Sequence, residues 1–180
     1  DLNENINVGD QITITKPEGN FKINQEDEKI VCFAAGSGIT PILSIANGVV
    51  VKVESQPYGF GNHIVVKHSN VPSLSDPSKL VDIYSSYSHL STMSVKLGDV
   101  VKKSEQIALS GNSGLSSTPH LHFQIDSHTA PWHPYWMFTG PELREAGLDF
   151  FQAVNTGFKS QDGKDNTVHP MSFVQKFLLY

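Results

Sequence analysis

The chain has a single cysteine, Cys32, in 180 residues. An internal disulfide is excluded, so cohesion must come from packing and hydrogen bonds. No apolar run approaches the roughly 20 residues that a membrane-spanning helix needs. Basic residues are scarce: 13 Lys and Arg stand against 18 Asp and Glu, for a net charge of -5. They form no cluster, which removes the electrostatic footprint of a nucleic-acid binder. There is also no initiator Met and no basic-plus-apolar leader. That pattern is expected of a chain whose signal has been removed, or of an excerpt of something longer.

What is present points to short strands and turns. The chain carries 14 Gly and 10 Pro, and Val, Ile and Thr recur in brief runs. Gln11-Ile12-Thr13-Ile14-Thr15 and Phe21-Lys22-Ile23 alternate in polarity. Ile30 to Ala35 is a continuous apolar run, as in a buried strand. Gly36-Ser37-Gly38-Ile39-Thr40-Pro41 follows, and Pro41 is placed to open a helix at its first position, cut short by Asn47-Gly48. From Gly48 onward, strands are expected at 48–54, 63–68, 81–89, 100–103 and 106–110. Glycine-rich turns fall at Tyr58-Gly59-Phe60-Gly61-Asn62 and Gly111-Asn112-Ser113-Gly114, and a polar, proline-interrupted loop at 69–80. The expected fold is mainly β, an antiparallel sandwich or barrel with a short helical C-terminal tail. Three regions are expected: a β-rich segment over 1–46, the β domain over 47–136 and the helical tail over 137–180.

The most informative stretch is Thr118-Pro119-His120-Leu121-His122-Phe123-Gln124-Ile125-Asp126. As a strand it sends His120, His122 and Gln124 to one face, and Leu121, Phe123 and Ile125 to the other. The second set suits a core. The first puts two imidazoles side by side where a metal or a reacting carbonyl could sit. A half-buried strand carrying two surface histidines fits the same pattern.

In the tail, Thr139 and Glu142 form a capping-box pattern around Pro141. Leu143, Gly147, Phe150, Phe151, Val154 and Phe158 lie near one helical face. Residues 159–167 read as a polar loop, and His169-Pro170 opens a second helix with Phe173, Val174, Phe177 and Leu178 on one side. Trp132, Tyr135 and Trp136 either wall a ligand groove or plug the space between β core and helices, the second being favoured. His63 and His68 fall on opposite faces of one strand and read as surface or hydrogen-bonded residues. His128, His133 and His169 receive no chemical role.

Several blocks carry resemblances. Asn7-Val8-Gly9-Asp10, Pro17-Glu18-Gly19-Asn20-Phe21 and Ala34 through Ile45 resemble the ferredoxin-reductase family of flavin oxidoreductases, at the join of its flavin and nicotinamide domains. The family's Arg-x-Tyr-Ser segment is absent. A second resemblance covers 46–126. Ala46-Asn47-Gly48-Val49-Val50, Tyr58 to Asn62, Tyr87-Ser88-His89-Leu90, Val95 to Lys103, Ser110 to Gly114 and Pro119 to Phe123 are similar, in order and spacing, to the lysostaphin/LytM-type zinc metallopeptidases.

That second resemblance implies an all-β groove, zinc as cofactor, and cleavage of peptides in bacterial peptidoglycan outside the cytoplasm. It makes His122 a zinc ligand and His120 and His89 catalytic assistants. The family's upstream His-x-x-x-Asp ligand pair has no counterpart of the same residue types. Aligning the segment that follows it puts Glu28 at the His position and Cys32 at the Asp position, either of which can bind zinc. Cys32 buried in an apolar strand and Glu28 in a charged loop is the other reading. The implied functions are thus a zinc endopeptidase, impaired if the site is incomplete, or a non-catalytic module that binds peptidoglycan peptide or glycan or activates a hydrolase. A flavin reductase fragment is the third.

Overall fold

A computed structural model describes residues 32–35 and 41–177, with side chains from 44 to 176. The strands are β1 (Cys32–Ala35), β2 (Pro41–Leu43), β3 (Gly48–Ser55), β4 (Asn62–Pro72), β5 (Leu80–Ser88), β6 (Leu90–Met93), β7 (Val100–Val101), β8 (Gln106–Ser110) and β9 (His120–Ser127). Among the described residues, four short helices and a two-residue strand follow: α1 (Gly140–Ala146), α2 (Phe150–Thr156), α3 (Ser160–Asn166), β10 (Thr167–Val168) and α4 (Pro170–Phe177). The expected class, antiparallel and mainly β with short C-terminal helices, is the one observed.

The large sheet runs β1-β9-β5-β4-β3-β7, with β10 pairing the second half of β9. It is open rather than closed into a barrel. A small sheet, β2-β8-β6, is antiparallel as well. The period-2 pattern of the strands assigns the faces of the large sheet. Register sets Ile64 against Tyr87 and Tyr87 against Phe123, and Ser85 against Ile125. Ile64, Tyr87, Phe123 and Ile125 join Val66, Ile83 and Leu90 in the hydrophobic core, and Ser85 is buried on the same face. Positions one residue away, His63, Ser86, Ser88, His122 and Gln124, share the opposite face. Strand β4 has Val65 and Val66 on opposite faces, and both are fully buried. Both sides of the sheet are therefore covered, which explains its uninterrupted β-branched run.

The core face carries one polar network. His68 is fully buried; its Nδ1 bonds Asn47 O at 2.8 Å and its Nε2 bonds Ser85 Oγ at 2.7 Å. Ser85 in turn reaches the Tyr87 hydroxyl at 3.2 Å, which accepts from the Ile45 N–H at 3.1 Å. His63, on the other face, is also fully buried. Neither histidine is a surface residue, because the sheet is covered on both sides.

Other expectations change. Pro41 opens a strand, not a helix: Pro41–Leu43 pairs with β8. Strand β4 runs on to Pro72, so the loop is shorter than 69–80. Gly147, at φ 66°, ends α1 in the left-handed region, which glycine adopts freely. The pattern from Leu143 to Phe158 is therefore two helices, and Phe151 points to solvent at 71% exposure. Residues 160–166 form α3 instead of a loop. At the start of α1 the expected capping box is present, with Thr139 N–H and Oγ1 both reaching Glu142 Oε2, at 2.7 and 2.8 Å. Phe173 of α4 is buried in the β core.

Candidate active site

His89 sits at the corner where the chain leaves β5 for β6 and changes sheet. It holds φ at 62°, a left-handed value that costs a residue with a Cβ about 1–2 kcal/mol. Its N–H donates to Phe60 O at 2.9 Å, which ties the corner to the β3–β4 turn. That turn interlocks with the β8–β9 turn. A Cβ on Gly61 would lie 2.4 Å from the Ser113 carbonyl, and one on Gly114 would lie 2.3 Å from Gly61 N. Only glycines allow the two turns this close. Ser113 is the hub: its Oγ accepts from Asn62 N–H at 2.9 Å and donates to Leu90 O at 2.7 Å, and its carbonyl accepts from His89 Nδ1 at 2.8 Å.

Strand β9 brings His120 and His122 to this corner. The rings of His89 and His120 are 4.7 Å apart, and those of His89 and His122 are 5.9 Å apart. Three imidazoles thus converge from two elements distant in sequence. The aromatic wall is Phe60, 5.6 Å from His122, and Trp136, 6.4 Å from it. Trp136 also stacks on Phe150 at 5.7 Å. It therefore borders the imidazoles on one side and the helices on the other. Tyr135 is buried, while Trp132 remains 46% exposed.

Hydrogen bonds set the protons. Thr118 O accepts from His120 Nδ1 at 2.7 Å. A carbonyl only accepts, so His89 and His120 both carry hydrogen on Nδ1 and, when neutral, a lone pair on Nε2. Burial lowers the pKa of His89, with the Ser113 bond opposing and nearby His120 assisting. Burial pushes His122 down to about 4; the Gln124 bond opposes this, and His89 and His120 add to it. His122 is therefore a neutral imidazole at neutral pH, the form that ligates a metal.

The remaining donors divide. Among the described residues no group of three or more His, Cys, Asp or Glu side chains is arranged to hold a metal ion. Glu28 lies outside the described residues. Cys32 is described by its backbone alone: it stands opposite Phe123 in register, while Phe33 stands opposite His122. A buried, neutral imidazole such as that of His122 is a donor of the kind zinc takes.

Three features escaped sequence reading. Asp126 is fully buried and accepts from Tyr135 N–H and from His133 Nδ1, each at 3.0 Å. Gln124 links Asp126 to His122. His133, given no role from sequence, also stacks on Tyr84 at 3.7 Å. The alternation of 122, 124 and 126 on β9 was a usable signal for the first two. His63 Nε2, Ser86 Oγ, Ser88 Oγ and Trp136 Nε1 are buried without a hydrogen-bond partner. The first three lie on the His122 face of the sheet, and Ser88 is directly opposite His122.

Fold and site together define an open antiparallel β scaffold with three histidines converging at one corner. The model of peptidase family M23 matches residues 27–134, and the chain belongs to that family. Lysostaphin of Staphylococcus staphylolyticus is 32% identical over 126 residues, covering 67% of this chain and 24% of that protein. The peptidoglycan DD-endopeptidase ShyA of Vibrio cholerae is 36% identical over 86 residues, 48% of this chain and 17% of that protein. The solved catalytic domain of lysostaphin from Staphylococcus simulans aligns with a TM-score of 0.50 at 25% identity, over 80% of this chain and 77% of that one. The chain spans 18%, 22% and 17% of the length of three such relatives. The family match takes in Ala34–Ile45, the most specific block of the flavin oxidoreductase resemblance. With Pro41–Leu43 a strand of the small sheet, that resemblance has no support and is withdrawn.

Proposed function

We propose that this chain is an extracytoplasmic bacterial domain that cleaves peptide bonds in cell-wall peptidoglycan with the help of zinc. The observation that carries the reading is the convergence of His89, His120 and His122, with ring separations of 4.7 and 5.9 Å about His89. His122 would hold the metal; Cys32, in register with Phe123 on the core side of β9 and not with His122, is given no part in holding it. When bound, zinc supplies Lewis acidity toward a scissile carbonyl. The chain's own residues do the rest. His120 and His89 each present an Nε2 lone pair, because their Nδ1 hydrogens are committed to carbonyls. One accepts the proton of the attacking water and the protonated imidazole returns it to the departing amine. Phe60 and Trp136 exclude solvent from His122. Peptidoglycan as substrate rests on the relatives named for that activity, ShyA and lysostaphin.

A second reading is a module that binds cell wall without cutting it, and the absence of an upstream His-x-x-x-Asp pair supports it. Elemental analysis with turbidity clearance of cell walls separates the two. The peptidase predicts one zinc per chain, lost together with clearance in His122→Ala. Zinc-free protein that sediments with sacculi and clears nothing would select the binding module.

A further inference from the structure

We propose that Gln124 and Asp126 are positioning residues that hold His122 as its Nε2–H tautomer and so present the Nδ1 lone pair. The inference rests on reading His122 as a metal ligand. It is carried by a chain of hydrogen bonds whose directions are forced. Tyr135 O can only accept, and it lies 2.8 Å from Gln124 Nε2. The same amide nitrogen donates to Asp126 Oδ1. The two acceptors fix the orientation of the carboxamide, because reversing it would set oxygen against oxygen twice. Gln124 Oε1 is then the atom that faces His122 Nε2, at 3.3 Å. An amide oxygen offers no hydrogen, so His122 Nε2 must carry one. A neutral imidazole has a single N–H, and its lone pair is left on Nδ1.

The anchor is Asp126. It is wholly buried, and its second oxygen accepts from Tyr135 N–H and His133 Nδ1 at 3.0 Å each. Tyr84 stacks against the His133 ring with planes 14° apart. Strand pairing reinforces the order, since Gln124 stands opposite Ser86 and Asp126 opposite Tyr84. Three successive same-face positions of one strand therefore form a line: anchor, amide, imidazole. Outer residues that fix the tautomer of a ligating histidine typically contribute 10–100-fold in metal affinity.

The test begins with metal-free protein. Long-range proton–nitrogen correlation of the histidine rings at pH 7.5 should show His122 as the Nε2–H tautomer. Gln124→Leu removes the acceptor and should populate both tautomers. Zinc affinity, measured by chelator competition, should fall roughly 10–100-fold in Gln124→Leu. Wild-type His122 found as the Nδ1–H form would overturn the proposal whatever the variant does. So would a Gln124→Leu protein with unchanged tautomer and unchanged zinc affinity. Protein that binds no zinc, yet whose His122 tautomer follows Gln124, would sink the metallopeptidase reading while supporting the positioning pair.

Discussion

Gly61→Ala should damage both the fold and the histidine cluster, and Gly59→Ala should damage the fold alone. Both glycines have positive φ, 65° and 77°. Both variants therefore incur the left-handed penalty of about 1–2 kcal/mol. Their surroundings differ. At Gly59 an added Cβ meets only Gln56 Oε1, at 3.7 Å, an ordinary contact. At Gly61 it would lie 2.4 Å from both the carbon and the oxygen of the Ser113 carbonyl. The two turns must then part by on the order of 1 Å to restore contact distance. Overpacking of this kind adds about 1–3 kcal/mol. At roughly 2–4 °C per kcal/mol for a chain of this size, Gly61→Ala should melt roughly 4–20 °C lower and Gly59→Ala roughly 2–8 °C lower. Ser113 O is also the acceptor that orients His89. Its displacement should cost about 100-fold in turnover if the domain is a peptidase, the usual effect of a 1 Å misplacement. Differential scanning calorimetry and the ring resonances of His89 report the two effects separately. Equal melting temperatures for the variants, with His89 unmoved in Gly61→Ala, would refute the interlocked-turn account.

Stability should fall on acidification through the buried histidines. Burial lowers the pKa of His63 and His68 in the fold. The unfolded chain therefore binds more protons below its value of about 6.5, and the stability present above that pH is lost as pH falls toward the folded values. Urea unfolding at pH 7.5 and pH 5 measures the slope, and His68→Gln should flatten it while lowering stability at pH 7.5. An unchanged slope in that variant would place the acid sensitivity elsewhere. Phe173→Ala should cost about 3–5 kcal/mol, since the ring is 2% exposed within the β core. A loss under about 1 kcal/mol would mean that α4 is not part of the core. Tyr87→Phe should cost about 1–3 kcal/mol by orphaning the Ile45 N–H and weakening the His68–Ser85 network.

Much of the fold was legible because alternation is a local property. The faces of β9 could be assigned from residues 120–126, since side chains on a strand take sides with period two. The capping box at Thr139 and Glu142 and the helix opened by Pro170 were readable for the same reason. Misreadings arose where two elements compete for one segment. Pro41 suits the first turn of a helix, yet pairing with β8 gives the backbone of 41–43 a strand partner instead. The periodicity from Leu143 to Phe158 concealed the left-handed break at Gly147.

The sequence alone determined the two-histidine strand, the glycine turns and the family they indicate, because these depend on residue type and spacing. Tertiary structure decided what those residues do to one another. It brought His89 to β9 from 31 to 33 positions away, through a left-handed corner held against Ser113. It buried His122 and so made its imidazole neutral. It also turned Asp126 and His133 into the anchor behind Gln124. Burial and hydrogen-bond direction are properties of the packed neighbourhood, and no local pattern of residues encodes them.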